Sequence, residues 1–142
     1  MTKLQKFLTS TAKQAKMAKA LNEFASLCAA QAIVSGFTED QQALQELIKE
    51  HGTEEQVDWF NDCVLQAELA RISSEVGEAV EGVRNPHMDH NVLEMENFII
   101  ELADVVIRCG DTAHRNYYEL GTAIVSKMLY NAMRPHKHGK RS

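Results

Sequence analysis

Proline is nearly missing from this chain: of 142 residues only Pro86 and Pro135 are proline, and seven are glycine. So few breakers exclude a fold of many short strands and favour long helices. A basic excess is missing too. Fifteen Lys and Arg against twenty Asp and Glu give a formal charge of −5, so a general nucleic-acid-binding surface is not expected. A small anionic ligand is not excluded, because a few well-placed cations suffice for one. No run approaches the roughly 20 apolar residues of a membrane span, and no membrane partner is expected. The N-terminus carries lysines but no apolar core followed by a cleavage pattern, so no signal peptide is expected. Cysteine is sparse: Cys28, Cys63 and Cys109 are odd in number, widely spaced and without a CxxC pattern. Buried free thiols in a reducing, cytoplasmic setting are the expectation.

What is present is ordinary for one globular domain spanning 1–142, with 44% hydrophobic and 25% charged residues. Leu4, Phe7, Leu8, Ala15, Ala18, Leu21, Phe24, Ala25 and Cys28 recur at spacings of three and four, which predicts helix from Lys3 to about Ser35. Residues 1–20 have the weaker pattern and are expected to form a separate short helix or an arm. Gly36 is the expected stop. A short helix follows from Thr38 to about Glu50, closed by His51 and Gly52. Thr53 with Gln56 reads as a capping box opening a long helix through Arg84. Asn85-Pro86 ends it, residues 86–91 form a loop, and the next helix is expected from about Val92 to His114. A turn at Arg115-Asn116 leads to a last helix ending before Pro135. Residues 135–142 form a basic tail. The expectation is therefore all-α, an antiparallel helical bundle whose catalytic helices lie within 60–134.

The helix containing Phe98–Asp111 is unusual. Glu94, Asn97, Glu101, Asp104, Arg108 and Asp111 fall within roughly a third of its circumference at about 100° per residue, while nearly everything else is apolar. A surface helix has the reverse proportion, so this helix should be central, with its polar strip lining a cleft. Several carboxylates in such a strip repel one another unless a cation compensates. Arg108 can offset one; the remainder suggest a hard divalent ion held by oxygen, Mg²⁺ or Mn²⁺. The alternative is a solvated acidic edge. In the preceding helix Leu69, Ile72, Val76, Ala79, Val80 and Val83 form the expected core stripe. Glu75 and Glu78 lie one turn apart beside it, in line with Glu68 and Arg71, and Gly77 between them would admit a helix or a ligand closely. A short connection implies antiparallel packing, which can bring Glu75 and Glu78 opposite Glu101 and Asp104.

The last helix carries the opposite charge. Lys127, Asn131 and Arg134 are spaced i, i+4, i+7 and share a face flanked by Tyr130. Cations beside an acidic metal site suit a polyphosphate; cations are also simply favoured at a helix C-terminus.

In order and spacing, EVGEAVEGVR, ELADVVIRCGD and KMLYNAMRPHKHGK resemble the MazG-like nucleoside triphosphate pyrophosphohydrolases of the all-α NTP pyrophosphatase superfamily. The likeness runs over roughly Phe60 to Lys140; upstream, AAQAIVSGF is similar to the family's first helix with its Gly-aromatic ending, and residues 1–20 match nothing in it. The resemblance implies hydrolysis of a (d)NTP to (d)NMP and pyrophosphate with Mg²⁺. It implies Glu75, Glu78, Glu101 and Asp104 as metal ligands, with Glu75 and Glu78 catalytic and Glu78 the expected base. Lys127, Asn131 and Arg134 take phosphate-side positions, and Arg108 and Asp111 phosphate or supporting ones. It further implies a homodimer or homotetramer with sites between subunits, in the cytoplasm of a bacterium or, if phage-encoded, of its host, and favours deoxynucleotide substrates. Gln31, Phe37, Trp59 and Phe60 are candidates for the base pocket, with core packing as their other reading. The alternatives are a same-fold pyrophosphatase for dUTP or phosphoribosyl-ATP, and an inactive helical interaction module.

Overall fold

The computed structural model describes residues 2–134, and among these every regular element is a helix. The helices are α1 (Lys3–Leu8), α2 (Thr11–Val34), α3 (Glu39–His51), α4 (Glu54–Arg84), α5 (Asn97–Arg115) and α6 (Leu120–Met133). The basic tail expected over 135–142 lies outside the described residues.

Local chemistry explains most of the boundaries. Thr2 and Gln5 form a capping box on α1, and the Ser10 hydroxyl accepts from the Lys13 N–H to start α2 afresh, so a separate short helix does form, but it ends at Leu8 and not near residue 20. Gln14 closes the break by donating to the Phe7 and Leu8 carbonyls at 3.1 and 3.2 Å. At the other end of α2, Gly36 adopts φ 74°. Its N–H donates to the Ile33 carbonyl and that of Phe37 to the Ala32 carbonyl, the paired bonds of a Schellman ending. Thr53 and Gln56 cap α4 reciprocally, as their spacing predicts.

The start of α5 differs from expectation by five residues: Asn97, not Val92. Asp89 Oδ1 accepts the Asn91 and Val92 N–H groups at 2.8 and 2.7 Å, fixing a side-chain-stabilised turn where a helix would otherwise begin. The Asp89 N–H donates to the Met95 carbonyl and the Asn97 N–H to that of His87, so the loop is stapled across its base. The turn before α6 is also longer than expected, Asn116–Glu119, and includes Tyr117 at φ 61°.

α5 packs between α4 and α2, and α2 also carries α6. This makes α5 the central helix of the chain. α4 and α5 approach closely at Gly82, where an added Cβ would lie 2.9 Å from the Phe98 nitrogen.

The core within one chain is thin. Its buried apolar side chains are Phe7, Ala25, Cys28, Ala29, Ala79 and Val125. Ala79 is covered, but Leu69, Val76, Val80 and Val83 of the expected α4 core stripe are exposed, Val83 by 63%. Ile99, Leu102 and Val106 of α5 are exposed as well. The accessible surface is 10795 Å², against about 7,400 Å² for a compact 16 kDa monomer.

Candidate metal centre

About two turns of α4 face the polar strip of α5 across a cleft of about 560 Å³. From α4 come Arg71, Ser74, Glu75 and Glu78; from α5 come Asp104, Arg108, Asp111 and Arg115; Gln31 and Ser35 of α2, with Phe37 and Thr38, close the far side. Helical periodicity places Arg71, Glu75 and Glu78 on one stripe of α4. Gly77 faces open space, with no atom within 4 Å of where its Cβ would be, so no other helix of this chain packs against it among the described residues.

One carboxylate oxygen from each of Glu75, Glu78 and Glu101 lies within 4.8 Å of the other two. Asp104, the fourth residue expected there, lines the cleft one turn beyond Glu101 but falls outside this convergent trio. Glu75 is buried, and Arg108 Nε donates to its Oε1 at 2.5 Å. Glu78 accepts only a long hydrogen bond from Ser74, 3.4 Å. Electrostatics follow from this arrangement. Desolvation first, then the Glu78 charge, push the Glu101 carboxyl above its ordinary range. Asp104 is raised by desolvation and by Glu75, with Arg108 pulling the other way. Four carboxylates against Arg108 and the unpaired Arg71 still leave an excess of negative charge, and an all-oxygen donor set of this kind suits a hard divalent cation.

The next turn of α5 is different in kind. Arg115 donates to both oxygens of Asp111, Nε to Oδ1 at 2.6 Å and Nη2 to Oδ2 at 2.9 Å. The same Nη2 lies 2.7 Å from Glu68 Oε1, and Asn116 Nδ2 donates to Glu68 Oε2 at 3.2 Å. Asp111 is thus held by an intrachain cation. From the sequence Glu68 was placed only in line with Glu75 and Glu78, and Arg115 and Asn116 only in a turn; their pairing was not foreseen. The i, i+4 pair Asp111/Arg115 was visible there, whereas Glu68 stands 47 positions away.

Lys127 and Arg134 do not line the cleft. They flank the Tyr130 ring on α6, with Lys127 Nζ 5.0 Å and Arg134 Cζ 5.7 Å from its centroid, and Asn131 lies between them in sequence. Gln31 and Phe37 do line the cleft; Trp59, 68% exposed on the first turns of α4, does not, nor does the half-buried Phe60. The one cleft cation without an ion pair or side-chain hydrogen bond among the described residues is Arg71.

No family model matches the chain, and neither a curated protein nor a solved structure matches it significantly. No helix among the described residues is long and apolar enough to cross a membrane.

Proposed function

We propose that this protein is a Mg²⁺-dependent nucleoside triphosphate pyrophosphohydrolase of MazG-like type, cleaving a (d)NTP to (d)NMP and pyrophosphate. The observation that carries the reading is the convergence of Glu75, Glu78 and Glu101 at a cleft that also presents Arg71 and Arg108. Glu75, Glu78 and Glu101 would hold the metal, with Asp104 beside them. Bound there, Mg²⁺ or Mn²⁺ would neutralise the carboxylates and polarise phosphate oxygens. Glu78, lightly hydrogen-bonded and exposed, has an oxygen free to take a proton from water attacking the α-phosphorus. Arg71 is the cation available to the departing pyrophosphate. Arg108 holds Glu75 in place and remains accessible from the cleft.

The cation strip of Lys127, Asn131 and Arg134 is read as acting on the site of a second copy. The exposed stripe of Leu69, Val76, Val80 and Val83 on α4, continued by Ile99, Leu102 and Val106 on α5, supports such an assembly, as does the excess surface. The test is pyrophosphate release from a panel of the eight common ribo- and deoxynucleoside triphosphates with Mg²⁺. Release from at least one, with deoxynucleotides favoured, is expected. Release from none overturns the enzymatic reading and leaves an assembling helical module; release confined to dUTP or phosphoribosyl-ATP, added to the panel, would assign the related activity.

A further inference from the structure

The charge of this chain is unevenly distributed. Residues 1–22 hold five lysines and no carboxylate, while residues 39–62 hold eight carboxylates against Lys49 alone. The side chains of both groups are exposed. Lys3 and Lys6 lie on α1, and Lys13, Lys16 and Lys19 on the first half of α2. On the acidic side, Glu39, Glu46 and Glu50 fall within about 40° of one another around α3. Glu54, Glu55, Asp58 and Asp62 fall within about 100° around α4. Among the described residues, the only ion pairs that touch either group are Lys19 with Glu23 at 3.8 Å and Glu50 with the neighbouring His51 at 3.7 Å. The two surfaces therefore do not meet within one chain. Ile33, in the last turn of α2, borders the same small cavity as Gln45 and Asn61, so the contact of α3 with α4 sits beside the C-terminal end of α2. Lys16 and Lys13 lie about 25 and 30 Å back along that helix, well beyond the Debye length of about 8 Å at physiological salt.

Resting on the assembly read above, and not on the catalytic reading, we infer that the lysine surface of one copy docks on the acidic α3–α4 surface of a second copy. Three features fit that partner in particular. The cations are all lysine, and the one aromatic in residues 2–22, Phe7, is buried, so the surface has no platform on which bases could stack. The chain's other large charged surface has the wrong sign for a nucleic acid or an anionic membrane and the right one for these lysines. Each surface also carries apolar groups for the other: Leu4 and Met17 stand exposed among the lysines, and Trp59 stands exposed beside Asp58. Lysine stems and Met17 pack on an indole, with the ammonium groups left to the carboxylates around it. A twofold pair forms both contacts at once and leaves neither surface over. Exposed ion pairs each contribute little. The apolar stripe of α4 and α5 therefore supplies most of the affinity, and the charges fix the orientation by making the alternatives repulsive.

The experiment is sedimentation velocity of the full chain over a dilution series, without metal or nucleotide, so it is independent of hydrolysis. Raising NaCl from about 0.05 to about 0.5 M should weaken association at least tenfold. Acrylamide should quench Trp59, the only tryptophan, less in the assembly than in the single chain. Reversing the lysine surface, with Lys6→Glu, Lys13→Glu and Lys16→Glu together, should raise Kd at least tenfold. Reversing the acidic surface, with Glu46→Lys, Asp58→Lys and Asp62→Lys together, should do the same. Mixed in equal amounts, the two reversed variants should pair with each other within about threefold of the wild-type affinity, which also shows that both are folded. Should either fail to fold, neutral Gln or Asn at the same positions should raise Kd at least threefold. An assembly that ignores salt, that survives either set of replacements, or whose folded reversed variants do not pair when mixed would overturn the docking and leave the assembly standing. A chain that sediments as one copy at every concentration would overturn both. Lysine replacements that weaken binding of a short DNA duplex but not self-association would give the surface to nucleic acid and overturn the assignment to a second copy.

Discussion

Replacing Glu101 by Gln should stabilise the metal-free protein and remove most of its response to Mg²⁺. The Glu101 carboxyl is raised first by desolvation and then by the charge of Glu78, with Glu75 contributing less. That order is physical, since Arg108 already offsets Glu75 at 2.5 Å while Glu78 has only Ser74. Two unit charges 4.8 Å apart, the limit for this trio, repel by about 0.9 kcal/mol in water and about 3.5 kcal/mol at an effective dielectric of 20. Because Glu78 is exposed, the lower figure governs, and about 1 kcal/mol of relief is expected from the neutral amide. For a chain of this size that is a rise in Tm of about 2–4 °C in EDTA. Wild-type protein at a Mg²⁺ concentration 100 times its Kd should gain about 2.7 kcal/mol, several degrees more. The variant should lose most of that gain, so the two melting curves, recorded by scanning calorimetry, cross over as Mg²⁺ is added. A variant melting below wild type in EDTA, or keeping the full Mg²⁺ shift, would refute the placement of Glu101 in an uncompensated metal site.

The raised carboxyls of Glu101 and Asp104 bind protons more tightly folded than unfolded. The stability they contribute is fully present below the ordinary carboxylate range, near pH 4, and is lost as pH rises through their raised values. Urea midpoints measured in EDTA should carry that downward component, and saturating Mg²⁺ should remove it; a component unchanged by Mg²⁺ would count against the site. Val80→Asp, on the exposed α4 stripe, should lower the molar mass seen by analytical ultracentrifugation to that of one chain, and an unchanged assembly would show that the stripe is not the contact. Joint replacement of Lys127 and Arg134 by Ala should raise KM for the triphosphate by about tenfold or more, on the strength of charge-assisted hydrogen bonds. An unaltered KM would confine these two residues to their packing on Tyr130.

The sequence was informative where the chemistry is local. Thr53 and Gln56 are three residues apart, so their capping box could be read directly, and so could the helical spacing that puts Glu75 and Glu78 on one stripe. The antiparallel packing of α4 and α5 needed only a short connection. The onset of α5 was misread because the apolar pattern runs back through Val92, whereas Asp89 takes up the N–H groups of Asn91 and Val92 and ends helix competence there. Periodicity also marks an apolar face without saying what covers it. Val76, Val80 and Val83 read as core and stand exposed in the single chain. The pairing of Glu68 with Arg115 was missed because nothing in either local pattern announces a partner across the bundle.

The acidic strip of α5 therefore divides at Arg108. Beyond it, Asp111 is answered by Arg115, whose guanidinium is itself held more firmly protonated by Asp111 and Glu68. Before it, Glu101 and Asp104 face Glu75 and Glu78, and among the described residues Arg108 is the one cation paired with any of them. The α4 stripe that lacks a cover begins at Leu69, next to Glu68, and runs through Val76, Val80 and Val83 beside this uncompensated half. A second copy docked on that stripe would withdraw water from Glu78 and Glu101 and strengthen their repulsion. Assembly and cation binding should then depend on each other. A divalent ion removes the repulsion that assembly would create, and assembly supplies the low-dielectric surroundings in which that ion acts most strongly on phosphate.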